Sequence, residues 1–323
     1  MAVVLVTSRS FGSGDADLVR RLEELGHEVA TGPSDHDLDA LADLLPRADA
    51  WIAGTGPVTA AHLDRAPRLR IVARYGVGVE AVDLDAARAR GIAVSNTPGA
   101  NSDAVADHAV GLMLAALRQI AVGDRRVRRG DWSVARGRQL GSLSIGIVGF
   151  GRIGQGVARR LSGFGARLLA ADPFLDEAAA ERLGVEPADP ERIARECDLV
   201  TLHAPGGSPV VTADWLAASR PGAVVVNTAR PDLVDEAALA AALRDGRVGA
   251  FAADTLAGDT RADGSPLLSD ELADRVTVTP HLGAQTVEAV DNMGEGAVRN
   301  ALAALEGSAP PDAVVPAPQG GRR

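Results

Sequence analysis

Short apolar runs alternate with stretches of helical periodicity along most of the chain. In the first hundred residues, each apolar run is followed by a segment whose apolar residues recur three or four positions apart. This alternation is typical of a small βα domain with a parallel sheet. The predicted strands are Val3–Val6, Ala50–Ile52, Arg70–Ala73 and Ile92–Val94, and the predicted helices are Leu18–Leu25, Leu38–Leu45 and Leu84–Arg90.

A second and longer set of elements begins after residue 100. Asn101, Ser102 and Asp103 offer caps to a long helix, and an arginine-rich stretch at 125–138 is expected to be a solvated face. Six strands with helices between them then predict a doubly wound sheet. The long helix is predicted at Ala104–Leu117, with His108 as a packing residue, and the strands at Ser144–Val148, Leu168–Ala171, Leu199–Leu202, Ala223–Asn227, Gly249–Ala253 and Val276–Thr279.

The last part of the chain is predicted to return to the first domain. A helix is expected over Gln285–Leu305, after the sixth strand, and would make the first domain discontinuous. The tail Ser308–Arg323 is rich in Pro, Gly and Ala and is expected to be an arm or partly disordered. The predicted domains are 1–100 with 286–323, and 101–285, with the active site in the cleft between them.

The turn after the first strand of the second domain carries the most specific motif. Gly149, Gly151 and Gly154 form G-x-G-x-x-G, and Asp172 ends the next apolar run roughly twenty residues later. The glycines permit a tight turn, close approach to a pyrophosphate and close helix–sheet packing, while the helix start offers N–H groups to phosphates. Asp172 can accept both ribose hydroxyls and would repel a 2′-phosphate. The sequence therefore predicts a dinucleotide domain that favours NAD over NADP.

Composition removes several classes of function. The net charge of −10 argues against a nucleic-acid partner. The chain contains no lysine, which excludes a Schiff-base or P-loop lysine. A single cysteine, Cys197, excludes an intramolecular disulfide and a cysteine-rich metal site, and no metal is predicted. No signal peptide and no apolar run of membrane-spanning length is recognisable, so a cytoplasmic protein without a membrane partner is expected.

Reactive side chains follow three of the predicted strands. Ligands bind at the carboxyl ends of strands in open α/β sheets, so these positions rank first. His281 suits acid/base catalysis because the unperturbed pKa of a histidine side chain lies near neutrality. Arg230 can hold a carboxylate through two hydrogen bonds, and Asp259 could orient the imidazole. From spacing alone, a helix-capping histidine, a surface ion pair and a solvated turn aspartate explain the three residues equally well.

Further motifs lie in order along nearly the whole chain. They are Arg74–Val79, Asn96–Gly99, Asn101-Ser102, Gly149–Gly154, His203–Pro205, Asn227–Arg230, Ala253-Asp254 and Thr279–His281. With them the chain resembles the D-isomer-specific 2-hydroxyacid dehydrogenases, which include phosphoglycerate, glyoxylate/hydroxypyruvate and D-lactate dehydrogenases. The resemblance implies an α/β fold of two Rossmann-like or flavodoxin-like domains with parallel sheets, NAD as cofactor, and a homodimer built on the Ala104 helix and the arm after it.

The resemblance also implies roles for individual residues. Arg230 matches the catalytic arginine, His281 the acid/base histidine, and Asp254 the aspartate that contacts the nicotinamide amide. The backbone around Val77 and Gly78 is implied to bind the substrate carboxylate, and Arg74 is either a structural residue or a substrate ligand. The implied cofactor-binding residues are Gly149, Phe150, Gly151, Arg152, Ile153, Gly154, Asp172, His203, Ala204, Pro205, Thr228, Ala229, Asp254 and Gly283.

Three features depart from the family's pattern, and Gly54 departs from that of its phosphoglycerate members. Asp259 replaces the usual glutamate and is one methylene shorter, and Pro231 replaces the glycine after the arginine, which should push Arg230 towards an extended backbone. Gly206-Gly207 stands in a shortened loop after Pro205. Gly54 stands where phosphoglycerate enzymes tend to carry a phosphate-binding arginine. None of these changes removes a catalytic charge.

These observations predict an NAD-dependent enzyme that interconverts a small D-2-hydroxy acid and its 2-oxo acid by hydride transfer. Arg230 would anchor the substrate, His281 would carry the proton, and Asp259 would support His281. One alternative is a specialised biosynthetic dehydrogenase for a phosphonate or another unusual hydroxy acid. The other is a non-catalytic, NAD(H)-sensing protein of the corepressor kind, which turnover with a 2-oxo acid would exclude.

Overall fold

The computed structural model describes residues 1–257 and 264–316, and the chain divides into two compact units. Unit 1 contains Met1–Asn101 and the chain from Ala284 onward, and unit 2 contains Ser102–Gly283. Unit 2 is therefore inserted between two segments of unit 1. The sequence pattern places the corresponding divisions after residues 100 and 285.

Unit 1 is built on a mainly parallel sheet with helices on both faces. Elements are numbered along the whole chain. The strand order is β13-β5-β4-β3-β1-β2, and β13 alone among the described strands of this sheet is antiparallel to its neighbour. The strands are β1 (Val3–Val6), β2 (Glu28–Thr31), β3 (Ala50–Ala53), β4 (Ile71–Arg74), β5 (Ala93–Ser95) and β13 (Ala313–Val315), and the helices are α1 (Leu18–Glu24), α2 (Ala60–Asp64), α3 (Leu84–Ala89) and α11 (Val287–Leu305).

Alternation along the strands supplies unit 1 with two apolar layers. Val4 and Val6 of β1 pack with α1 and with Met293 and Ala297 of α11, whereas Leu5 points into the opposite layer. Both layers consist mainly of buried aliphatic side chains, with Trp51 in one and Tyr75 in the other, as a sheet covered on both faces requires. The predicted strands and the helices α1, α3 and α11 are confirmed with shifts of one or two residues at their ends.

The helix predicted at Leu38–Leu45 is wrong. Residues 38–44 form successive turns and Leu45–Arg47 a single 3₁₀ turn. The carboxylate of Asp37 accepts hydrogen bonds from the amides of Asp39 and Ala40, which closes the first turn locally. Pro46 then has no N–H with which to continue an α-helix.

The tail also differs from the prediction, because Ala313–Val315 forms an edge strand beside β5. Asp312 precedes this strand, and its carboxylate accepts hydrogen bonds from Asn300 at 3.2 Å and from Arg299 at 2.9 Å. Val315 is 1% exposed. One buried apolar side chain and an anchoring aspartate therefore order a segment whose composition indicates an arm. Residues 317–323 lie outside the described part of the chain.

Unit 2 contains a wholly parallel sheet of seven strands within its described residues. The order is β12-β11-β10-β9-β6-β7-β8, so the order reverses between β6 and β9, where ligands bind in such folds. The short edge strand β8 was not predicted. The strands are β6 (Ser144–Val148), β7 (Arg167–Ala171), β8 (Val185–Pro187), β9 (Leu199–Leu202), β10 (Ala223–Asn227), β11 (Val248–Ala253) and β12 (Val276–Val278).

Seven α-helices accompany this sheet in the described part of unit 2. The predicted long helix is confirmed, and its apolar face packs with β6 and with the helix that follows β6. No described helix is long and apolar enough to cross a bilayer alone. The bent pair α4–α5 has sufficient length and apolar content only when its two helices are taken together. The helices are α4 (Ser102–Arg118), α5 (Ile120–Arg128), α6 (Arg152–Leu161), α7 (Glu177–Leu183), α8 (Pro190–Glu196), α9 (Ala213–Ala218) and α10 (Glu236–Arg244).

The arginine-rich stretch is partly helical. Arg125 and Arg126 lie on α5, where both pair with Asp274. Residues 129–139 form neither helix nor strand and are all exposed. This arm includes Trp132, which is 77% exposed, and Val134, which is 95% exposed. Solvent-facing arginines are therefore accompanied by apolar side chains that nothing in unit 2 covers.

Candidate active site

The glycine loop connects β6 to α6 at the point where the strand order reverses. Gly149 has φ +89°, and a Cβ atom there would lie 2.5 Å from the amide nitrogen of Ala204 and from the carbonyl carbon of His203. At Gly151, in contrast, a Cβ atom would meet no atom within 4 Å. Gly149 is thus required by the fold, whereas Gly151 keeps open the space in front of the first turn of α6. That space suits a pyrophosphate on the helix N-terminus.

Asp172 lies beside this loop, directly after β7. Its Oδ2 accepts a 2.7 Å hydrogen bond from the amide of Phe150, and its Oδ1 accepts one of 2.8 Å from the amide of Phe174. A carboxylate oxygen accepts more than one hydrogen bond, so each retains capacity for a ribose hydroxyl. The structure therefore brings the predicted pyrophosphate and ribose sites together.

The end of β9 contributes a neutral imidazole. His203 Nε2 lies 2.9 Å from Thr201 Oγ1, and burial lowers the pKa of His203 to about 3. Among the described residues, His203 Nδ1 and Thr228 Oγ1 are buried and have no hydrogen-bond partner. Both residues are predicted cofactor ligands. Buried polar atoms of this kind indicate that a ligand completes their hydrogen bonding.

The loop after His203 is tied to the segment after the arginine. The amide of Gly207 donates a 2.7 Å hydrogen bond to the carboxylate of Asp232, and a Cβ atom at Gly206 would lie 2.6 Å from the same carboxylate. Asp232 follows Pro231 in a 3₁₀ turn at Pro231–Leu233. Gly206-Gly207 and Pro231 are two of the departures from the family pattern. The loop that holds the first and the turn that begins at the second therefore contact each other through Asp232.

Asn227, the last residue of β10, shapes the turn that carries Arg230. Its side-chain amide donates to the carbonyl of Arg230 at 2.8 Å, and its Oδ1 accepts from the amide of Ala229 at 3.0 Å. Arg230 has φ −136° and ψ 140°, which confirms the extended backbone expected before Pro231. The half-buried guanidinium donates to the carbonyl of Ala229. Asn227 is thus a positioning residue for Arg230.

Asp254 lies after β11 and organises the loop that carries His281. The amide of His281 donates to the Asp254 carbonyl at 3.1 Å, and the amides of Leu282 and Gly283 donate to the two carboxylate oxygens at 2.8 Å each. Thr279 Oγ1 donates to Oδ1 at 2.5 Å. Burial alone would raise the pKa of Asp254, but hydrogen bonds from His108, Thr279 and the amides of Leu282 and Gly283 outweigh it and lower the pKa.

His281 itself is exposed and has φ +56°, a left-handed conformation that is uncommon for histidine. The three successive amides of residues 281–283 form a concave group of donors around the Asp254 carboxylate and carbonyl. That arrangement holds the strained conformation. Asp259, the predicted partner of His281, lies outside the described residues.

A residue on α4 completes this cluster. His108 Nε2 lies 2.9 Å from Thr279 Oγ1 and 3.2 Å from Asp254 Oδ1. The prediction for His108 was packing alone, and these contacts to the His281 loop were missed. A usable signal exists, since His108 follows Val105 by three residues and precedes Leu112 by four, which places a polar side chain on the buried stripe of α4.

In unit 1, one backbone amide and two side chains hold three successive carbonyl groups of the Gly76–Gly78 loop. The Thr97 amide donates to Gly76, Asn96 Nδ2 donates to Val77 at 2.7 Å, and Arg74 Nε donates to Gly78 at 3.0 Å. In a trans peptide the N–H points opposite to the C=O, so the amides of Val77, Gly78 and residue 79 face away from these donors. Arg74 is 6% exposed and acts on the loop backbone.

Metal and thiol chemistry find no support in the described chain. Among the residues that the structure describes, no three His, Cys, Asp or Glu side chains are grouped so as to hold a metal ion. Cys197 is fully buried, and burial raises the pKa of its thiol to about 12.

Comparison with known proteins identifies the domain that holds the glycine loop. Residues 110–283 match the family model described as D-isomer specific 2-hydroxyacid dehydrogenase, NAD binding domain. The chain is 43% identical over 284 residues to D-3-phosphoglycerate dehydrogenase of Mycobacterium tuberculosis. The aligned residues cover 86% of this chain and 53% of that protein. It thus spans about half the length of this relative.

Two further comparisons cover the chain and its counterpart more evenly. Glyoxylate reductase of Pyrococcus furiosus is 37% identical over 293 residues, covering 86% of this chain and 82% of that protein. The crystal structure of the TT0316 protein from Thermus thermophilus superposes with a TM-score of 0.87 at 35% identity, covering 97% of this chain and all of that chain.

Proposed function

The chain belongs to the D-isomer specific 2-hydroxyacid dehydrogenase family, and on this basis we propose that it catalyses the NAD-dependent interconversion of a small D-2-hydroxy acid and its 2-oxo acid. The observation that carries the proposal is the position of Arg230 and of His281 in unit 2. They follow β10 and β12, the two neighbours of β11, at the carboxyl edge of the sheet that also carries the glycine loop.

The residues of unit 2 fit NAD. Gly149–Gly154 and the start of α6 would hold the pyrophosphate, Asp172 the adenosine ribose, and His203 and Thr228 have buried polar atoms that lack partners. When bound, the cofactor supplies or accepts the hydride. Because Asp172 is an acceptor with a negative charge, NAD is preferred over its 2′-phosphorylated form.

Arg230 and His281 divide the work on the substrate. Arg230 would grip the carboxylate and polarise the neighbouring oxo group through its planar guanidinium. His281 would donate a proton to the oxo oxygen during reduction and remove it during oxidation. The amides of Val77 and Gly78 are proposed carboxylate ligands, and Asp259 the proposed acidic partner of His281. Asp254 and Asn227 keep the backbones of the two catalytic residues in place.

Gly54 favours a substrate other than 3-phosphoglycerate. A Cβ atom at this position would lie 2.7 Å from the carbonyl oxygen of Thr7 and 3.1 Å from Ser8 Cα. These are backbone atoms, so the phosphate-binding arginine expected there in phosphoglycerate enzymes does not fit. We therefore propose a smaller oxo acid, such as glyoxylate, hydroxypyruvate or pyruvate. A phosphonate or similarly unusual acid is the second candidate, held by groups other than residue 54.

The proposed enzyme acts as a homodimer formed by α4 and the exposed arm at 129–139. Trp132 and Val134 supply the apolar surface that such an interface needs. Their exposure supports this assignment, because two large apolar side chains close together on one segment offer surface that a second subunit can bury.

A steady-state assay with NADH and a panel of 2-oxo acids, including a phosphonate, tests the activity. We expect a turnover of about 1–1000 s⁻¹ with at least one acid. His281→Asn, which keeps a residue tolerant of positive φ, should lose about 10²- to 10⁴-fold in kcat while NADH still binds. Arg230→Lys should raise KM and lower kcat, because lysine lacks the two-pronged donor.

His27→Asn is the matched control, since His27 lies in unit 1 before β2 and should leave turnover unchanged. Absence of turnover with every acid, together with tight NADH binding, would overturn the proposal in favour of an NAD(H)-sensing protein. Full activity of His281→Asn would remove the histidine from the mechanism.

A further inference from the structure

The hydrogen bonds between α4 and the loop that carries His281 determine which group donates and which accepts. Thr279 Oγ1 has one proton and donates it to Asp254 Oδ1 at 2.5 Å. The oxygen can therefore only accept from His108 Nε2, which lies 2.9 Å away. It follows that His108 carries a proton on Nε2, whether the ring is neutral or charged.

We propose that His108 is a positioning residue for His281, acting as a hydrogen-bond donor to the Thr279–Asp254 pair. This inference rests on the proposed function, because it assigns His281 the acid/base role. His108 donates to an oxygen of Thr279 and lies 3.2 Å from the carboxylate oxygen that also holds the Leu282 amide. It does not contact the reacting atoms and is not itself a catalytic residue.

The physical effect passes through the charge of Asp254. A carboxylate that is 2% exposed stays ionised only if donors surround it. His108 and Thr279 supply donors from one side, and the Leu282 and Gly283 amides supply them from the other. Removing the His108 donor makes the Asp254 carboxylate less favourable as an ion and so weakens its hydrogen bonds to the loop amides. Without those bonds, His281 can leave its left-handed conformation.

The position of His108 also explains why the donor comes from a helix. α4 packs its apolar stripe into unit 2 through Ala109, Leu112 and Met113, which fixes the imidazole within hydrogen-bond distance of the loop. A side chain presented by a buried helix keeps its place better than one presented by a loop.

The test compares His108→Leu with His108→Gln. Leucine removes the donor, whereas the glutamine amide can still donate to Thr279. Readouts are kcat and KM with the best oxo acid, the dissociation constant of NADH, and the imidazole signals of His281 by NMR. The six histidines of the chain make these signals assignable by substitution. His27→Leu serves as the control for the same chemical change away from the cluster.

For His108→Leu we expect kcat to fall about 10- to 100-fold, NADH affinity to stay within about 2-fold, and the His281 signals to shift. His108→Gln should restore most of kcat and of the signals. If the leucine variant does not fold, His108→Phe takes its place against His108→Gln, because phenylalanine keeps a flat ring but has no donor.

Unchanged His281 signals and kcat in His108→Leu would overturn the proposal. Equal losses in the leucine and glutamine variants would also overturn it, since then the donor is not what matters. The NMR comparison needs no substrate. Should wild-type protein turn over no oxo acid, the proposed activity fails while the positioning of His281 by His108 is still decided.

Discussion

The amide of Phe150 donates a 2.7 Å hydrogen bond to the carboxylate of Asp172, so the expected ribose ligand also holds the glycine loop. Asp172→Asn keeps the shape but loses the charge, and its NH₂ group would face a backbone N–H. We expect the dissociation constant of NADH to rise about 10- to 100-fold and discrimination against NADPH to shrink. Fluorescence titration measures both. Asp214→Asn, exposed on α9, should change neither; unaltered affinity in Asp172→Asn would separate Asp172 from the cofactor.

Two glycines of one loop should respond in opposite ways to alanine. Gly149→Ala places a Cβ atom 2.5 Å from backbone atoms of residues 203 and 204 at φ +89°, so we expect a loss of stability of about 3 kcal/mol. Gly151→Ala meets no atom and should fold normally, yet bind NADH more weakly because the methyl group enters the pyrophosphate space. Thermal unfolding and NADH titration separate the two effects. Normal NADH binding by Gly151→Ala would place the pyrophosphate elsewhere.

Unit 1 should lose stability in mild acid through His36. This ring is 1% exposed, its Nε2 lies 2.6 Å from Thr7 Oγ1, and burial lowers its pKa from 6.5 to about 4. The unfolded chain takes up the proton first. The stabilisation by the neutral ring, about 3 kcal/mol, is therefore complete above pH 6.5 and is lost as the pH falls from 6.5 to 4.

His36→Asn should make that part of the curve of unfolding free energy against pH less steep, and the buried His203 accounts for the decline that remains. Asparagine tolerates the positive φ of 58° at this position but does not titrate. His281→Asn is the matched control, because His281 has φ 56° yet is exposed, and its variant should keep the wild-type slope. A wild-type curve without decline between pH 6.5 and 4 would show that the ring is protonated without cost.

The proposed dimer should depend on the arm. Aspartate at both Trp132 and Val134, which are 77% and 95% exposed, would introduce charge into the apolar surface. We expect sedimentation at the mass of a monomer, with each unit still folded. Leu25→Asp, at a 55% exposed position of unit 1, is the control and should leave the dimer intact. A dimer that survives the double substitution would place the interface away from the arm.

Central strands were predictable because their side chains are buried on both faces. Leu199–Leu202 and Ala223–Asn227 are apolar except for Thr201 and Asn227, and their predicted bounds agree with the structure. The edge strands β2 and β8 were missed, since Glu28–Thr31 and Val185–Pro187 contain polar or exposed residues and owe their conformation to the neighbouring strand. Pairing of this kind leaves no local pattern in the sequence.

Part of the candidate site, but not the contacts that support it, could be predicted from the sequence. Arg230 and His281 stand out because strand ends can be located and because their chemistry suits an oxo acid. The contacts of Asn96 and His108 could not be derived, because each joins segments that the fold brings together and the sequence keeps apart. His108 and Thr279, for example, are separated by 171 positions.

The insertion of unit 2 into unit 1 determines the order in which the chain can mature on the ribosome. Residues 102–283 emerge complete while unit 1 still lacks α11 and β13. The apolar layer that Met293 and Ala297 will cover therefore stays open during synthesis of the whole inserted unit. The nascent protein thus exposes the apolar surface of an incomplete unit 1. A chaperone that shields the α11 face of β1, β3 and β4 would act during that interval.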